Sequence, residues 1–171
     1  IIIASNAIAL ESMAKKVKEY GFKPLILTSM VEGEAKEVGK VFASIIKNIV
    51  LYSKPIEKPA AILAGGETVV TVKGNGIGGR NQELCLSLAI SIKNLETVVV
   101  CMGTDGIDGI SPAAGAIVSG DTVGEGYSIG LDPIKYLENN DSYTYFSKID
   151  RAIITGYTGT NVNDIFIALV K

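Results

Sequence analysis

The sequence contains no histidine among its 171 residues. This absence excludes a Ser-His-Asp triad, a histidine general base and the common zinc sites. Cysteine is nearly absent as well, and the spacing of Cys85 and Cys101 fits neither a metal pair nor a disulfide framework. We interpret them as two unrelated buried thiols in a reducing environment, and we expect a cytoplasmic protein.

Arginine is scarce too, because only Arg80 and Arg151 occur. Without a basic run, and with a net charge of −2, the chain is not expected to bind nucleic acid. No stretch approaches the roughly 20 apolar residues of a membrane span, and no secretory signal opens the chain. A Walker A pattern is missing, so any phosphoryl transfer is not of the P-loop kind. The chain begins Ile-Ile-Ile without an initiator Met, which suggests a fragment.

What is present is the composition of one globular α/β domain over residues 1–171, with 47 % hydrophobic and 20 % charged residues. Residues 1–58 predict the order β-α-β-α: a strand at IIIA, a helix carrying Leu10 and Val17, a strand at PLILTS, and a helix from about Ala35 to Ile49. This order favours a parallel sheet with covering helices.

Residues 59–171 predict further strands and helices. Ala60–Ala64 and Thr68–Val72 are expected to form a hairpin around Gly65-Gly66-Glu67, which makes the sheet mixed. A helix follows Gly74–Gly79, and the apolar strand Thr97–Met102 suits the middle of a parallel sheet. Residues 114–118 fit a strand or a buried helical turn, residues 121–147 short helices, and residues 152–155 and 164–170 strands. The expected fold is a mixed, mostly parallel sheet sandwiched by helices, in a Rossmann-like three-layer arrangement.

Polar and glycine residues concentrate in five loops that follow predicted strands. In open α/β sheets, ligands bind outside the carboxyl ends of the strands, so we expect the loops after parallel strands to share one ligand-binding edge. The loops are Ser5-Asn6, Thr28-Ser29, Gly65-Gly66-Glu67, Thr104–Asp108 and Gly156–Asn161.

The loop Gly74–Gly79 matches the dinucleotide pattern G-x-G-x-x-G and opens a helix. The match is weak for two reasons. The preceding strand belongs to a predicted hairpin and not to the start of a βαβ unit. Glu96, the acidic residue nearest the expected distance, precedes its strand instead of ending it. A physical interpretation is stronger: glycine N–H groups, a helix N-terminus and the planar charge of Arg80 together suit a carboxylate or phosphate. The alternative is a tight turn with Arg80 paired to a surface acid.

Asp105 and Asp108 lie three residues apart after a core strand. Closely spaced carboxylates can hold Mg²⁺ or orient a substrate hydroxyl. The alternative is that they form turns, with Asp108 capping a helix that starts at Ser111-Pro112. The loop Thr155–Asn161 carries several hydroxyls and fits either phosphate or ribose binding or a plain β-turn.

Five motifs resemble one family. GGETVVTV, GGRNQEL, TDGIDG followed by AAGAIV, DSYTYF and TGYTGTNVNDI are similar to the C-terminal, MOFRL domain of glycerate 2-kinases found in archaea and many bacteria. The resemblance is strong from Ala60 to the C-terminus, so residues 59–171 form the MOFRL-like segment. SNAIAL and GEAKEVGK resemble the part that precedes it, within residues 1–58.

The resemblance implies a two-domain enzyme that transfers the γ-phosphoryl group of ATP to the 2-hydroxyl of D-glycerate with a divalent cation, Mg²⁺. It implies that the N-terminal domain, with its catalytic lysine, is missing, so this fragment alone is expected to be inactive. Homo-oligomerisation stays open. Arg80 is the implied catalytic residue, and Asp105 and Asp108 are the candidate metal ligands. Substrate-binding candidates are Gly66, Glu67, Gly78, Gly79, Asn81, Glu83, Thr104 and Asn161.

Two other functions compete with the kinase. One is a hydroxypyruvate reductase or related 2-hydroxy-acid oxidoreductase that binds NAD(P) on the GNGIGG loop. The other is a non-enzymatic α/β domain that binds a small anion or a protein.

Overall fold

The computed structural model describes residues 4–171. The helices are α1 (Asn6–Glu19), α2 (Ala35–Tyr52), α3 (Arg80–Ser91), α4 (Thr122–Ser128), α5 (Pro133–Glu138) and α6 (Ser142–Lys148). The strands are β1 (Lys23–Val31), β2 (Ala60–Gly66), β3 (Thr97–Gly103), β4 (Gly115–Ser119), β5 (Ala152–Ile153) and β6 (Asp164–Val170). The strand predicted at residues 1–4 lies almost wholly outside the described residues. Within residues 4–171, no helix has the length and apolarity that a membrane crossing requires.

The first helix illustrates how local sequence sets an element. The Ser5 hydroxyl accepts a hydrogen bond from the Ile8 N–H at 3.3 Å and so caps the start of α1. Gly21, at φ +85°, provides the left-handed turn that follows its end. Leu10 and Val17, which lie seven residues apart, are buried. The predicted helix and its inward face are confirmed.

The sheet is mixed, as predicted, but it is not mostly parallel. Its strand order is β1-β2-β6-β3-β4-β5, and β1–β2 is the parallel pair, whereas the other four pairings are antiparallel. Strand β3 lies in the middle of the sheet, yet both of its neighbours run antiparallel to it. An apolar run reports that a strand is buried, and it carries no information on the direction of its neighbours.

The predicted hairpin of Ala60–Ala64 with Thr68–Val72 is wrong. Both edges of β2 are already paired, one with β1 and the other with β6, so no edge remains for a returning strand. After Gly66 the chain instead runs beside the start of α2. There the Val69 N–H donates to the Gly33 carbonyl at 2.9 Å, and the Ala35 N–H donates to the Val69 carbonyl at 2.8 Å.

Strand direction brings the loops together in spite of the mixed pairing. Strands β1, β2, β3 and β5 run in one direction, and β4 and β6 run in the other. The carboxyl ends of four strands therefore meet at one edge of the sheet, where β6 begins. The common edge predicted from the sequence is present.

The main core lies between the sheet and the paired helices α2 and α3. A Cβ on Gly39 of α2 would collide with the Leu84 carbonyl of α3, so this glycine allows the two helices to approach closely. The Phe42 and Phe166 rings stack with centroids 4.3 Å apart. Cys85 and Cys101 are free and buried in this core, as predicted. They are not unrelated, because burial and the neighbouring Cys85 side chain raise the pKa of Cys101. Helix α1 packs instead on β1 and β2.

Candidate functional site

The ends of three adjacent strands form the floor of the candidate site. Gly66 at the end of β2 and Gly103 at the end of β3 both lie opposite Asp164, the first residue of β6. Asp164 is 8 % exposed. Because the flanking residues are glycines, no side chain from either neighbour competes for the space around its carboxylate.

Arg80 is the first residue of α3, and its guanidinium lies over this floor. The Nε–H donates to Asp164 Oδ2 at 2.6 Å, and Nη2 donates to Asp164 Oδ1 at 2.9 Å. Nη2 also lies 3.5 Å from Glu67 Oε1. The hydrogen bonds with Asp164 raise the pKa of Arg80, so the side chain is a permanent cation. The Arg80 side chain is 30 % exposed, so part of the guanidinium faces outward.

Asp108 caps the helix that carries Arg80. Its Oδ1 accepts hydrogen bonds from the Asn81 N–H at 3.0 Å and the Asn81 Nδ2 at 3.2 Å. Its Oδ2 accepts from the Gln82 N–H and the Gln82 Nε2, both at 2.9 Å. A Cβ on Gly79 would collide with the Asp108 carboxyl group, so the glycine before the helix lets the cap approach. One buried carboxylate thus satisfies two helix N–H groups and two side-chain amides.

The predicted alternative, in which Asp108 caps a helix that starts at Ser111-Pro112, is wrong, because Asp108 caps α3 instead. The capped helix is α3, about 27 residues earlier in the chain, and no helix begins at residues 111–112. Burial raises the pKa of Asp108, and its hydrogen bonds to Asn81 and Gln82 partly oppose that rise. Because both oxygens already accept two hydrogen bonds, the geometry favours capping. The metal-ligand role of Asp108 stays a prediction.

The glycine loop does not form the nest of backbone N–H groups that the sequence indicated. Asn140 Oδ1 accepts from the Lys73 and Gly74 N–H groups at 2.7 and 3.0 Å. Residues 75–77 donate to Asn139 and Asp141. A Cβ on any of Gly74, Gly76 or Gly78 would collide with residues 139–142. These glycines therefore serve close packing of the loop onto the segment that precedes and starts α6.

The N–H groups that remain for a ligand lie at the end of this loop. Within residues 4–171, the backbone N–H groups of Gly78, Gly79 and Arg80 make no hydrogen bond to a protein acceptor. They precede the first turn of α3, where the helix dipole favours negative charge. Together with the outward part of the Arg80 guanidinium they form an arrangement suited to an oxyanion. Anion binding by this loop stays a prediction, and the N–H groups available for it are those of residues 78–80.

An open hollow of about 480 Å³ lies beside Arg80. Its polar lining includes Arg80, Glu67 and Glu83, and much of the remaining wall is apolar. Val69, Val72 and Ile110 line it and are 60 %, 71 % and 79 % exposed. Of the predicted substrate-binding residues, Glu67, Gly78, Gly79 and Glu83 line this hollow, so the structure brings them together with Arg80.

Glu83 is a buried carboxyl group at the bottom of the first turn of α3. Its Oε2 accepts a hydrogen bond from Asn140 Nδ2 at 2.8 Å, and within residues 4–171 its Oε1 has no partner. Burial is the main cause that raises the pKa of Glu83 above its ordinary value of 4.5. Folding therefore makes the charged form of Glu83 less favourable than it is in the unfolded chain.

This burial predicts a pH dependence of stability. A raised folded-state pKa gives stability that is fully present below about pH 4.5 and is lost as the pH rises through the folded-state pKa. Glu83→Gln should remove this loss, so the stability of the variant relative to wild type should grow from pH 4.5 upward and then level off. Urea midpoints of the complete protein from pH 4 to 8 measure the effect. The exposed Glu96→Gln is the control, and parallel curves for Glu83→Gln and wild type would count against it.

Three further candidate site residues make hydrogen bonds within the loops at this edge of the sheet. They are Thr104, Asn161 and Asp105. The Thr104 hydroxyl donates to the Asn163 carbonyl and accepts from the Val162 N–H, both at 2.8 Å. Asn161 Oδ1 accepts from the Asn163 N–H at 2.9 Å, which is a local turn. Asp105 Oδ1 accepts from the Ile107 N–H at 3.2 Å. No contact brings Thr104 or Asn161 to Arg80, and their substrate-binding roles stay predictions.

The sequence interpretation missed Asp164 and Asn6 as parts of the site. Asp164 begins the last strand, β6, at the edge of the sheet where the predicted ligand-binding loops meet. The Asn6 Nδ2 donates to the carbonyls of Val162 and Asp164, both at 2.8 Å. A Cβ on Gly65 would collide with this amide. The asparagine at the start of α1 was a visible signal, but the carbonyls that it binds, those of Val162 and Asp164, lie more than 150 residues away in sequence.

The chain is an α/β protein in which a cationic fork at the start of a helix lies at the edge of a mixed sheet, and this geometry suits an oxyanion. The sequence pattern of the MOFRL family matches residues 60–164. The chain belongs to this family, and the match covers Glu67, Arg80, Asp108 and Asp164.

Similar proteins carry kinase names. The chain is 53 % identical to a D-glycerate 2-kinase of Thermotoga maritima over 90 % of its own length and 37 % of the relative. It is 44 % identical to a glycerate 2-kinase of Pyrococcus horikoshii over 99 % of its length and 39 % of the relative. A provisionally named hydroxypyruvate reductase of Agrobacterium vitis is 42 % identical, over 99 % of this chain and 39 % of the relative.

A crystal structure of a glycerate kinase from Thermotoga maritima has the same fold as this chain. The TM-score is 0.98 at 46 % identity, and the superposition covers 100 % of this chain and 42 % of that protein. The chain therefore spans about two fifths of the length of the relatives that it matches.

Proposed function

We propose that this chain is the arginine-bearing part of a glycerate 2-kinase, which transfers the γ-phosphoryl group of ATP to the 2-hydroxyl of D-glycerate. The observation that carries the proposal is the Arg80 guanidinium, held against Asp164 at the start of α3 beside the N–H groups of Gly78 and Gly79. Phosphoryl transfer needs positioned positive charge more than covalent chemistry. The kinase names of two relatives above 40 % identity support the same reaction.

In this function Arg80 neutralises the negative charge that spreads over the transferred phosphoryl oxygens. The Gly78 and Gly79 N–H groups add donors that require no reorganisation during the reaction. Glycerate is also an anion, so its carboxylate is the second ligand that the same groups suit. The proposal assigns Arg80 to the phosphoryl group, because the hollow beside it is larger and more apolar than glycerate requires.

The fit of Mg²⁺ differs between the two predicted ligands. The two oxygens of Asp108 accept four hydrogen bonds in all. Asp105 accepts one hydrogen bond on Oδ1, so its Oδ2 remains available to a metal ion. Residues 4–171 contain no cluster of three or more His, Cys, Asp or Glu side chains arranged for a metal. Mg²⁺ commonly needs only one or two carboxylates plus substrate phosphates, and when bound it would neutralise phosphate charge. Asp105 is therefore the residue of this chain that we propose to hold it.

The wider assignment includes features beyond the site. We infer that the missing part of the longer protein closes over the Arg80 edge as a second domain, that residues 1–171 form one Rossmann-like three-layer domain, and that the protein works in the cytoplasm. The lengths of the relatives support a further domain, since each is more than twice as long as this chain. On this proposal residues 1–171 alone have no kinase activity.

The proposal is tested with the complete protein from which this chain comes. Incubation with ATP, D-glycerate and Mg²⁺ should give 2-phosphoglycerate and ADP, which phosphorus NMR identifies by the position of the new phosphate ester. L-glycerate is the matched control substrate. Formation of 3-phosphoglycerate instead, or no phosphate ester at all, would refute the assignment.

A parallel assay separates the oxidoreductase alternative that the Agrobacterium vitis name raises. In that case the complete protein would oxidise NADH in the presence of hydroxypyruvate and would leave ATP unchanged. The loop geometry speaks against it, because the N–H groups of residues 73–77 are engaged by residues 139–141 and cannot cradle a pyrophosphate. An NADH-dependent rate without kinase activity would overturn the proposal.

A further inference from the structure

Asp164 makes the most direct contact to the Arg80 guanidinium. It accepts two hydrogen bonds side by side, from Nε at 2.6 Å and from Nη2 at 2.9 Å. A guanidinium has five N–H donors in a rigid planar fork. Asp164 occupies the Nε–Nη2 edge of that fork, so the Nη1–Nη2 edge is the one that can still bind an oxyanion in a bidentate manner. The carboxylate therefore decides which edge of Arg80 faces a ligand.

The backbone of Asp164 is held in place by its neighbours, so its carboxylate has a fixed position from which to orient Arg80. Asp164 is paired with Gly66 on one side and with Gly103 on the other, in the two strands that flank β6. Asn6 reaches from the start of α1 and donates to the Asp164 carbonyl at 2.8 Å. Its carboxylate is 89 % buried by side-chain area, since 11 % is exposed. The group that orients Arg80 is thus fixed by two strands and one helix.

Glu67, the second acidic neighbour of Arg80, is more exposed and lies farther from the guanidinium than Asp164. Glu67 Oε1 lies 3.5 Å from Nη2, and its side chain is 57 % exposed. A partly exposed carboxylate at this distance contributes little to orientation. Because Glu67 lies near the edge of the fork that a ligand would use, it is a neighbour that a bound anion can displace.

We propose that Asp164 is the positioning residue of the site: its carboxylate clamps the Nε–Nη2 edge of Arg80 so that the Nη1–Nη2 edge is presented to the transferred phosphoryl group. Asp164 does not touch the substrate, and its effect on the reaction passes through Arg80. This inference rests on the proposed kinase function for its catalytic consequence. Its structural content, the fixed orientation of one guanidinium, can be measured without that function.

A double-mutant cycle in the complete protein tests the dependence on Arg80. Asp164→Asn keeps the shape of the side chain but removes its charge and one acceptor. It should lower kcat/KM by about 10-fold or more, mainly through kcat, because orientation is lost when the transition state forms. In the Arg80→Ala background the same change should lower kcat/KM by less than about 3-fold, because the residue it acts through is gone.

The chain offers a matched control for this cycle. Arg151 pairs with Glu125 through Nε and Nη2 in the same side-on manner. Glu125 and Arg151 lie on a separate surface hollow that shares no residue with the one beside Arg80. Glu125→Gln removes an arginine–carboxylate pair of the same kind and should leave kcat and KM within about 2-fold of wild type.

Chemical rescue gives a readout that a merely structural role would not move. In Arg80→Ala the Asp164 carboxylate remains in place and should bind a free guanidinium ion, so millimolar guanidinium should restore part of kcat. Ammonium, which lacks the planar fork, should not. Rescue should disappear in the Arg80→Ala/Asp164→Asn protein. Failure of guanidinium to rescue Arg80→Ala would overturn the proposal even if every Asp164 variant failed to fold.

A measurement without catalysis separates this inference from the proposed function. In the arginine Nε–H NMR spectrum of the complete protein, the signal that Arg80→Lys removes should exchange slowly with water in the wild type and broaden in Asp164→Asn. It should be unchanged in Glu125→Gln. A wild type without kinase activity would refute the kinase, and this spectrum would still decide the positioning role. An unaltered Arg80 signal in Asp164→Asn, or equal effects of Asp164→Asn with and without Arg80, would overturn it.

Discussion

Arg80→Ala in the complete protein should lower kcat/KM for glycerate phosphorylation by about 10²-fold or more, as expected when a charge-stabilising donor is lost from an active site. Three of the five guanidinium N–H donors are left by Asp164 for other partners. Within residues 4–171 no second arginine lies near enough to replace them, since Arg151 pairs with Glu125. Steady-state kinetics with both substrates varied measures the loss.

The same variant distinguishes the two anions that Arg80 could hold. If the guanidinium acts on the transferred phosphoryl group, kcat should fall and the KM for glycerate should change little. If it holds the glycerate carboxylate, KM for glycerate should rise and kcat should change less. The assignment to the phosphoryl group predicts the first result, and a rise in KM alone would reassign the residue to substrate binding.

Two controls make the Arg80 result specific. Arg151→Ala removes the second arginine of the chain and its pairing with Glu125, and it should leave kcat/KM near the wild-type value. Arg80→Lys keeps the charge but cannot donate side-on to both oxygens of Asp164, so it should not restore activity. Thermal midpoints report the stability cost of leaving Asp164 without its partner. A near-normal kcat/KM in a folded Arg80→Ala protein would mean that the Arg80–Asp164 pair is only a structural contact.

Local signals in the sequence predicted the elements whose causes are local. The cap at Ser5, the left-handed Gly21 and the spacing of Leu10 and Val17 predict α1, and the structure has it there. Strand β6 matches its predicted range, Asp164–Val170, because a continuous apolar run follows the aspartate and ends before Lys171. These features depend on interactions within a few residues, which a single sequence displays.

The errors arose where the partners are distant in sequence. Strand β6 lies between β2 and β3, so it leaves no edge of β2 for the expected hairpin, and it pairs antiparallel with β3. Nothing in the residues of β2 or β3 indicates that a strand that begins 98 residues after the end of β2 and 61 residues after the end of β3 pairs with both. The edge shared by the loops was still predictable, because β1, β2 and β3 run in the same direction even with β6 inserted between β2 and β3.

The candidate site shows the same division. Arg80 stood out because it begins a helix after a glycine run. The role of the glycine run was not evident from the sequence. Its N–H groups donate to Asn139, Asn140 and Asp141, which come from a segment about 65 residues away. Asp164 was overlooked for the same reason, since it meets Arg80 across 84 residues. A glycine-rich loop indicates close approach, and only the fold shows whether the approaching group is a ligand or the protein itself.

Asp108→Ala should lower the free energy of unfolding by about 2–4 kcal/mol, because it leaves buried donors without an acceptor. The carboxylate is 1 % exposed and receives the N–H groups of Asn81 and Gln82 together with both of their side-chain amides. The loss should exceed that of an ordinary helix cap. Asp132→Ala is the matched control, since Asp132 caps α5 through a single bond to the Ile134 N–H at 3.1 Å and should cost about 1 kcal/mol.

The urea midpoint of the complete protein, compared between Asp108→Ala and Asp132→Ala, measures this difference. The magnesium dependence of activity in Asp108→Asn then separates the cap from a metal ligand. If Asp108 caps α3, the Mg²⁺ concentration for half-maximal activity stays near the wild-type value, while the midpoint falls and kcat decreases because the first turn carrying Arg80 loosens. If Asp108 binds the ion, the required Mg²⁺ concentration rises and the midpoint in metal-free buffer is unchanged. The second pattern would contradict the capping role, and it would place the cation at the start of α3 beside the arginine.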